Sequence, residues 1–311
     1  MNTRNTSLAN LKTSNRVFGI LCGILAAVCY GTNPLGALKL YEQGMPTGSV
    51  LFFRFGLAWI IIAAVMLIRS LPGQTLKTPK ETLKVTRREF RALTALGLLF
   101  TASSLTLYLS FHLMDAGVAS TILFTYPVMT AVIMALFFHE RAGWATIAAI
   151  ALSVLGVVLL YWGDGTATLP IFGVILVLLS ALTYAVYIIV VNKSDLQMSS
   201  FKINFYVLLY CALGMLIYSF ASGQPLTLPQ NATSWFYVGW LAIVPAIMAL
   251  VLMVYAAKYV GSTTTAILGA LEPLTAVLIG IFVFGERFTL TLAVGIVLIL
   301  IAVTIIVTKK T

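Results

Sequence analysis

The stretch TYPVMTAVIMALFFHER at residues 125–141 has a counterpart in LEPLTAVLIGIFVFGER at residues 271–287. Each begins with a proline inside an apolar run and ends in a Glu-Arg pair, and one offset of 146 residues aligns both features. Apolar residues align tolerably by chance, whereas a proline and a Glu-Arg pair at a shared offset are much harder to obtain by chance. We therefore predict that the chain contains an internal repeat.

The repeat extends outward to the start of the chain. Aligning Tyr30 with Tyr184 also places Lys39 on Lys193 and Phe18-Gly19 on Phe172-Gly173. Each half then holds five long apolar segments. The expected organisation is an N-terminal tail (1–16), a first repeat (17–162), a second repeat (169–308) and a C-terminal tail (309–311).

The composition predicts a membrane protein. Hydrophobic residues make up 60% of the 311 and charged residues only 9%, whereas a soluble domain carries about 25% charged residues. Segments of some 20 apolar residues are long enough to cross a bilayer as helices, which satisfy their own backbone groups in hydrocarbon. We predict an all-α membrane protein with ten transmembrane helices, at residues 17–39, 46–69, 90–113, 116–138, 143–162, 169–192, 199–221, 233–258, 261–285 and 288–308.

The basic residues predict the orientation. Sixteen of the 19 Lys and Arg lie in the tails and loops on the side of the termini, while only Lys39 and Arg287 lie on the opposite side. This bias places both termini in the cytoplasm. Because five helices per half is an odd number, the second repeat is inverted relative to the first. Inverted repeats are typical of secondary transporters, whose binding site lies near the midplane between the halves.

Other function classes lack the necessary residues. The net charge of +10 belongs to loops, so nucleic-acid binding is not expected. The chain has no P-loop, no HExxH motif, no pair of midplane carboxylates, and only two histidines, His112 and His139, on opposite faces. The three cysteines fall in apolar segments. We therefore predict no catalytic residues, no metal site and no cofactor.

Two stretches, 117–160 and 261–307, resemble the paired EamA domains of the drug/metabolite transporter superfamily. The shared pattern is a run of small residues, a proline within the helix (Pro127 and Pro273), a Glu-Arg turn and a final helix rich in small residues. The context LFFRFGLA around Arg54 also resembles the second helix of that family. The resemblance implies ten helices and the transport of amino acids, metabolites or drugs. The sequence departs from the pattern at His139, which stands where the second half has Gly285.

Glu272 is the leading candidate for a functional residue. At ~1.5 Å per residue it lies about 16 Å into its helix, near the bilayer centre, where a carboxylate is costly unless it is paired or protonated. It is a candidate for substrate binding and for binding a coupling proton; a structural pair is the alternative. Arg54 lies roughly 12 Å below the opposite face. It is expected to pair with Glu272 or extend to the interface, or else to bind a substrate carboxylate.

The two prolines are expected to bend helices 4 and 9, because each leaves the carbonyl four residues earlier, of Leu123 or Gly269, without its helical partner. The alternative is a kink that serves packing alone. Polar side chains within the other helices complete the candidate substrate site: Tyr30, Asn33, Tyr108, Tyr126, Tyr184, Tyr187 and Tyr255.

The sequence thus predicts a secondary transporter that exports a small organic metabolite, such as an amino acid, by alternating access. The expected location is a bacterial inner membrane, and the expected partners are the substrate, the lipid bilayer and a coupling proton. Two alternatives stay open: a membrane-embedded enzyme acting on a lipid-borne group, and a channel.

Overall fold

The computed structural model describes residues 2–70, 83–139, 143–162, 169–194 and 198–309, and throughout these ranges its regular structure is helical. Residues 71–82 and the first Glu-Arg pair fall outside them. The helices are α1 Asn2–Gly31, α2 Asn33–Glu42, α3 Thr47–Ser70, α4 Arg87–Ser110, α5 Ala116–Leu123, α6 Tyr126–Phe137, α7 Trp144–Trp162, α8 Ile171–Lys193, α9 Ser200–Ala221, α10 Ala232–Ile243, α11 Ala249–Leu268, α12 Leu271–Phe284 and α13 Leu290–Lys309.

Within the described chain these helices form ten segments long and apolar enough to cross a membrane, which confirms the predicted fold class. Spans 1 to 10 are Arg16–Glu42, Thr47–Ile68, Arg87–Ser110, Ala116–Phe137, Trp144–Trp162, Ile171–Lys193, Phe201–Ala221, Ala232–Gly261, Thr264–Phe284 and Leu290–Thr308. Consecutive spans alternate in direction. We call the side where span 1 begins and span 10 ends the terminal face, and the other side the hairpin face.

Four spans are interrupted. Span 4 breaks at Phe124–Thr125 and span 9 at Gly269–Ala270, just before the prolines on which bends were predicted. The sequence analysis missed two further breaks. Span 1 is interrupted at Thr32 before Pro34, and span 8 contains a π-helical turn, Val244–Met248, that includes Pro245. Proline is tolerated there because the first turn of a helix needs no backbone donor, and π turns insert into helices at such irregular points.

The contacts between spans follow the two-repeat pattern. Spans 2 and 7, 4 and 9, and 5 and 10 pack as pairs, each combining the equivalent span of each repeat. Two further pairs are spans 1 and 8 and spans 3 and 6, and exchanging the repeats converts one of these pairs into the other. Since each repeat contributes five spans, the second begins on the opposite face from the first.

The ends of spans 4 and 9 share a local conformation. Gly285 ends α12 with a φ of +68°, and His139, its counterpart in the repeat, has a φ of +58°. A left-handed φ suits glycine and is uncommon for other residues. The two repeats therefore share this backbone turn but form it with different residues, His139 in the first and Gly285 in the second.

Spans 5 and 10 approach each other through two glycines. A Cβ added to Gly156 would lie 2.8 Å from Ile299 Cγ1 and 3.1 Å from the Gly295 carbonyl oxygen. A Cβ on Gly295 would in turn lie 2.7 Å from Leu160. Small residues permit such close contact between membrane helices.

Gly156→Ala should therefore lower the free energy of unfolding by about 1–3 kcal/mol, the usual effect of overpacking. Gly239→Ala is the matched control, because a Cβ there meets nothing within 4 Å and alanine is the better helix former. Thermal unfolding of the purified variants in detergent measures both effects. Equal melting temperatures for the two variants would contradict the close packing of spans 5 and 10.

Candidate functional site

A cavity of about 220 Å³ lies between spans 1, 4, 8 and 9, the four interrupted spans. Its lining is mainly apolar, with four polar side chains contributed by three different spans. The lining residues are Ala27, Tyr30, Tyr126, Met253, Ala257, Thr265, Ala266, Gly269 and Glu272.

The cavity extends from the terminal face to the middle of the protein. Thr265 lies one residue from the beginning of span 9, and Ala257 lies four residues from the end of span 8. Glu272 is eight residues into span 9, which at ~1.5 Å per residue is about 12 Å below the terminal face. The candidate carboxylate therefore lies at the deep end of the cavity.

The break in span 9 positions Glu272 in the first turn of α12. A helix N-terminus favours a nearby negative charge, and within the described residues no ion pair or hydrogen bond occupies the carboxyl group. The Gly269 carbonyl lacks its helical donor because that position is Pro273, and the Glu272 backbone N–H donates to it instead at 3.0 Å.

Span 1 touches this break directly. A Cβ on Gly31 would lie 2.6 Å from the Glu272 carbonyl oxygen and 2.5 Å from Thr275 Cβ. Glycine therefore allows the backbone beside Tyr30 to reach the irregular turn of span 9. On the other side of span 1, the Trp240 indole N–H donates to Thr32 Oγ1 at 3.3 Å, which joins the breaks in spans 1 and 8.

Aromatic residues of both repeats form a wall beside the cavity. Tyr126 lines the cavity, and its ring packs edge-on against Tyr184 with centroids 4.7 Å apart. Tyr184 stacks on Tyr187 at 5.8 Å, and Tyr187 contacts Phe100 at 5.3 Å. Tyr184 and Tyr187 thus support the cavity from behind rather than line it.

Arg54, Tyr108 and Asn33 form a second polar group towards the hairpin face. Arg54 is buried and donates through Nη1 to the Tyr108 hydroxyl. Tyr108 donates to Asn33 Oδ1 at 3.4 Å, and Asn33 Nδ2 donates to the Tyr30 carbonyl at 2.9 Å. The expected ion pair between Arg54 and Glu272 is absent, and Arg54 does not extend to the interface.

Tyr255 lies apart from both groups. Its side chain is exposed on the surface of span 8 and contacts the rings of Phe18 and Tyr259. A tyrosine on an interrupted span was a reasonable candidate for the cavity, but the helical rotation turns this one outward. The structure therefore brings Tyr30, Tyr126 and Glu272 together and places Tyr255 away from them.

On the hairpin face, Glu286 joins the ends of spans 4 and 9. Its carboxylate accepts hydrogen bonds from the backbone N–H groups of Ala116 and Gly117 at 2.8 and 3.2 Å, so span 9 caps the first turn of span 4. A Cβ on Gly117 would lie 2.9 Å from this carboxylate, and a Cβ on Gly280 would lie closer still. The carboxylate therefore fits here because both positions are glycine.

The sequence identified Glu286 only as part of a turn motif, because its partners lie 170 and 169 residues away. Burial, together with the negative charge of Asp115, raises the pKa of Glu286 from 4.5 to about 7, although the two backbone donors oppose this shift. Burial also raises the pKa of Asp115.

Within the described ranges, no group of three or more His, Cys, Asp or Glu could hold a metal ion. The three cysteines are separate, buried thiols.

Known proteins resemble the chain along its length. An uncharacterized transporter of Archaeoglobus fulgidus is 30% identical over 58% of this chain and 63% of its own length. The transporter YdfC of Bacillus subtilis, also uncharacterized, is 23% identical over 58% and 59%. The chain thus aligns with about three fifths of each of these relatives. An uncharacterized transporter of Clostridium kluyveri is 21% identical over 91% of both chains.

One solved crystal structure shares the fold with a TM-score of 0.61, at 17% identity over 92% of this chain and 95% of the other. The sequence profile of the EamA-like transporter family matches residues 17–162 and 171–308, nearly the whole chain. The ten spans and the repeated pairing of helices agree with this match, and the chain belongs to the EamA-like transporter family of the drug/metabolite transporter superfamily.

Proposed function

We propose that the protein is a secondary transporter that exports a small organic metabolite of amino-acid type by alternating access. The observation that carries this proposal is the position of Glu272, an unpaired carboxyl group at the deep end of a cavity formed by four broken helices. Broken helices around a midplane site are a recurrent feature of secondary transporters. Membership of a transporter family supports the same function.

The size and lining of the cavity favour a small, partly apolar substrate. Its volume of about 220 Å³ lies below the roughly 300–1,000 Å³ of pockets that hold drug-sized ligands. Tyr30 and Tyr126 present rings and hydroxyl groups beside the carboxyl group of Glu272. A substrate ammonium group is attracted by a carboxylate and by aromatic rings, so this deep end suits the amino group of an amino acid.

The two faces of the protein differ in a way that alternating access requires. The cavity reaches towards the terminal face, while the contacts of Glu286 hold the ends of spans 4 and 9 together on the hairpin face, which we interpret as a closure of that face. The bias of basic residues supports a cytoplasmic terminal face in a bacterial inner membrane. An exporter would then load substrate through the cavity as it stands and release it after the hairpin face opens.

Counterflow in liposomes tests the proposal. Purified protein is reconstituted with an unlabelled amino acid inside, and labelled amino acid is supplied outside at trace concentration. A carrier accumulates the label transiently above its external concentration, whereas a channel only equilibrates it. Failure of all twenty amino acids to show counterflow would contradict amino-acid transport, and simple equilibration would favour the channel.

Glu272→Gln is expected to abolish the effect of a pH gradient on transport, while exchange of substrate for substrate persists but needs a higher substrate concentration, because the amide attracts the ammonium group less strongly. The amide keeps the shape of the side chain but cannot bind and release a proton, and a ligand drives a transition only through different affinities for the two states. Transport with and without an imposed gradient measures this. Glu42→Gln is the matched control, since Glu42 is exposed on the hairpin face and pairs with Lys39. A Glu272→Gln protein that is still driven by the gradient would exclude Glu272 as the coupling group.

The closure by Glu286 should depend on pH. In the closed form its pKa is about 7, whereas a carboxyl group released to water titrates near 4.5. The closed form therefore binds the proton more tightly, so closure is strongest below about pH 4.5 and weakens as the pH rises to about 7. Labelling of a cysteine at Val118, which is buried one turn inside span 4, should increase over this range in a variant without the native cysteines.

Glu286→Gln should remove this pH dependence, because the side chain that accepts the hydrogen bonds of Ala116 and Gly117 then cannot ionise. Asp115→Asn should keep the dependence but move it to lower pH, because the charge of Asp115 helps to raise the pKa of Glu286. An unchanged labelling profile in the Glu286→Gln protein would show that another group controls the closure.

A further inference from the structure

Arg54 is a buried cation without an anionic partner. Its residue is only 7% exposed, and Nη1 donates to the neutral Tyr108 hydroxyl. The Nε atom is fully buried and has no hydrogen-bond partner. Among the residues that the structure describes, the ion pair present joins Lys39 and Glu42, far from this arginine in the chain.

If Arg54 had only a structural role, the cost of burying its charge would be poorly compensated. A charged group removed from water is costly unless an opposite charge or a full set of hydrogen bonds replaces its hydration. The rings of Phe55 and Tyr108 lie 5.3 and 5.4 Å from the guanidinium carbon, and such contacts offset only part of the cost. The Nε atom thus remains buried without an acceptor, and a ligand can reach it only after neighbouring side chains move.

The side of the guanidinium group that carries Nε favours a carboxylate as its ligand. Guanidinium groups bind carboxylates through two parallel N–H donors, a geometry that lysine cannot reproduce. A small anionic group of the substrate would supply both the charge and the acceptors that Arg54 lacks.

Arg54 is also linked to the cavity. The hydrogen bonds from Arg54 to Tyr108, from Tyr108 to Asn33, and from Asn33 to the Tyr30 backbone end at a residue that lines the deep end. Arg54 is seven residues from the hairpin-face end of span 2, or about 10 Å, and Glu272 is twelve residues from that end of span 9, or about 18 Å. The arginine therefore lies on the hairpin side of the cavity, beyond Tyr30.

We infer that Arg54 is the carboxylate-binding subsite of the transport pathway, so that the substrate is a zwitterion held by its carboxylate at Arg54 and by its ammonium group towards Glu272. This inference rests on the proposed transport function and narrows its substrate class to α-amino acids with both groups free. Movement of Tyr30 and Asn33 would join the present cavity to the subsite.

Matched ligands test the subsite. The twenty amino acids are titrated against purified protein by thermal stabilisation, and each one that stabilises is compared with its decarboxylated amine and its primary amide. The wild type should bind the amino acid at least about tenfold more tightly than either derivative, since a charged hydrogen bond contributes on that scale. Arg54→Gln should remove the difference, and Arg54→Lys should retain only part of it.

Trp59→Phe serves as the control variant. Trp59 lies on the same helix and also has a buried, unpartnered N–H, so its replacement changes a similar environment without removing the cation. This variant should discriminate between amino acid and amine as the wild type does. If the Arg54→Gln protein does not purify as a folded species, the comparison of Arg54→Lys with Trp59→Phe carries the test.

Several results would overturn the subsite. These are equal binding of amino acid and amine by the wild type, discrimination that survives Arg54→Gln, and the absence of stabilisation by any amino acid. The counterflow experiment separates failure of the Arg54 subsite from failure of the proposed transport function. Exchange of the amine as readily as the amino acid would leave transport standing without a carboxylate subsite, whereas no exchange of any probe would reject transport of this class itself.

Discussion

Hydrocarbon tolerates no unpaired backbone, so a membrane helix can be broken only where protein or water faces the break. Spans 1, 4, 8 and 9 are all broken, and all four surround the same cavity. At the breaks, short-range contacts replace the helical hydrogen bonds: Thr32 Oγ1 donates to the Cys29 carbonyl at 2.7 Å, and the Glu272 N–H donates to the Gly269 carbonyl. The position of the cavity, and of the carboxyl group within it, follows from these four interruptions.

The two repeats share their arrangement of helices but differ in their breaks. Spans 4 and 9 are both interrupted, yet the paired spans 1 and 8 are broken while their repeat counterparts, spans 6 and 3, are continuous. The chemistry differs likewise, because Glu272 occupies the position that Tyr126 occupies in the first repeat. Among the described residues that line the cavity, the second repeat therefore contributes a carboxyl group at the position where the first contributes a tyrosine.

The sequence predicted most of the fold because apolar length and charge bias are local signals. Ten spans, two repeats and the positions of Pro127 and Pro273 could all be read from it. The breaks at Pro34 and Pro245 could have been predicted by the same proline argument, which was applied only to the repeated pair. The left-handed turn at His139 has its signal in the repeat counterpart Gly285, because histidine itself does not indicate a positive φ.

Less of the candidate site was predictable. Depth alone identified Glu272, but whether Arg54 pairs with it depends on the rotation of two helices, and Tyr108 is its partner instead. The expected place of Tyr255 in the cavity depended on the rotation of span 8 in the same way, because its spacing did not show which side of that span faces lipid. Glu286 caps a helix some 170 residues earlier, a contact that only the packing of spans 4 and 9 creates.

The central claim is that the two faces open reciprocally around Glu272, and distances between spin labels test it most directly. One pair of labels would be placed at Leu113 and Phe288 on the hairpin face, and a second pair at Phe138 and Lys258 on the terminal face, all exposed positions. In lipid nanodiscs, raising the pH from about 4.5 to about 7 should lengthen the first distance and shorten the second in the same fraction of molecules, because closure by Glu286 weakens. Distances that lengthen together, or that change on one face alone, would contradict the account.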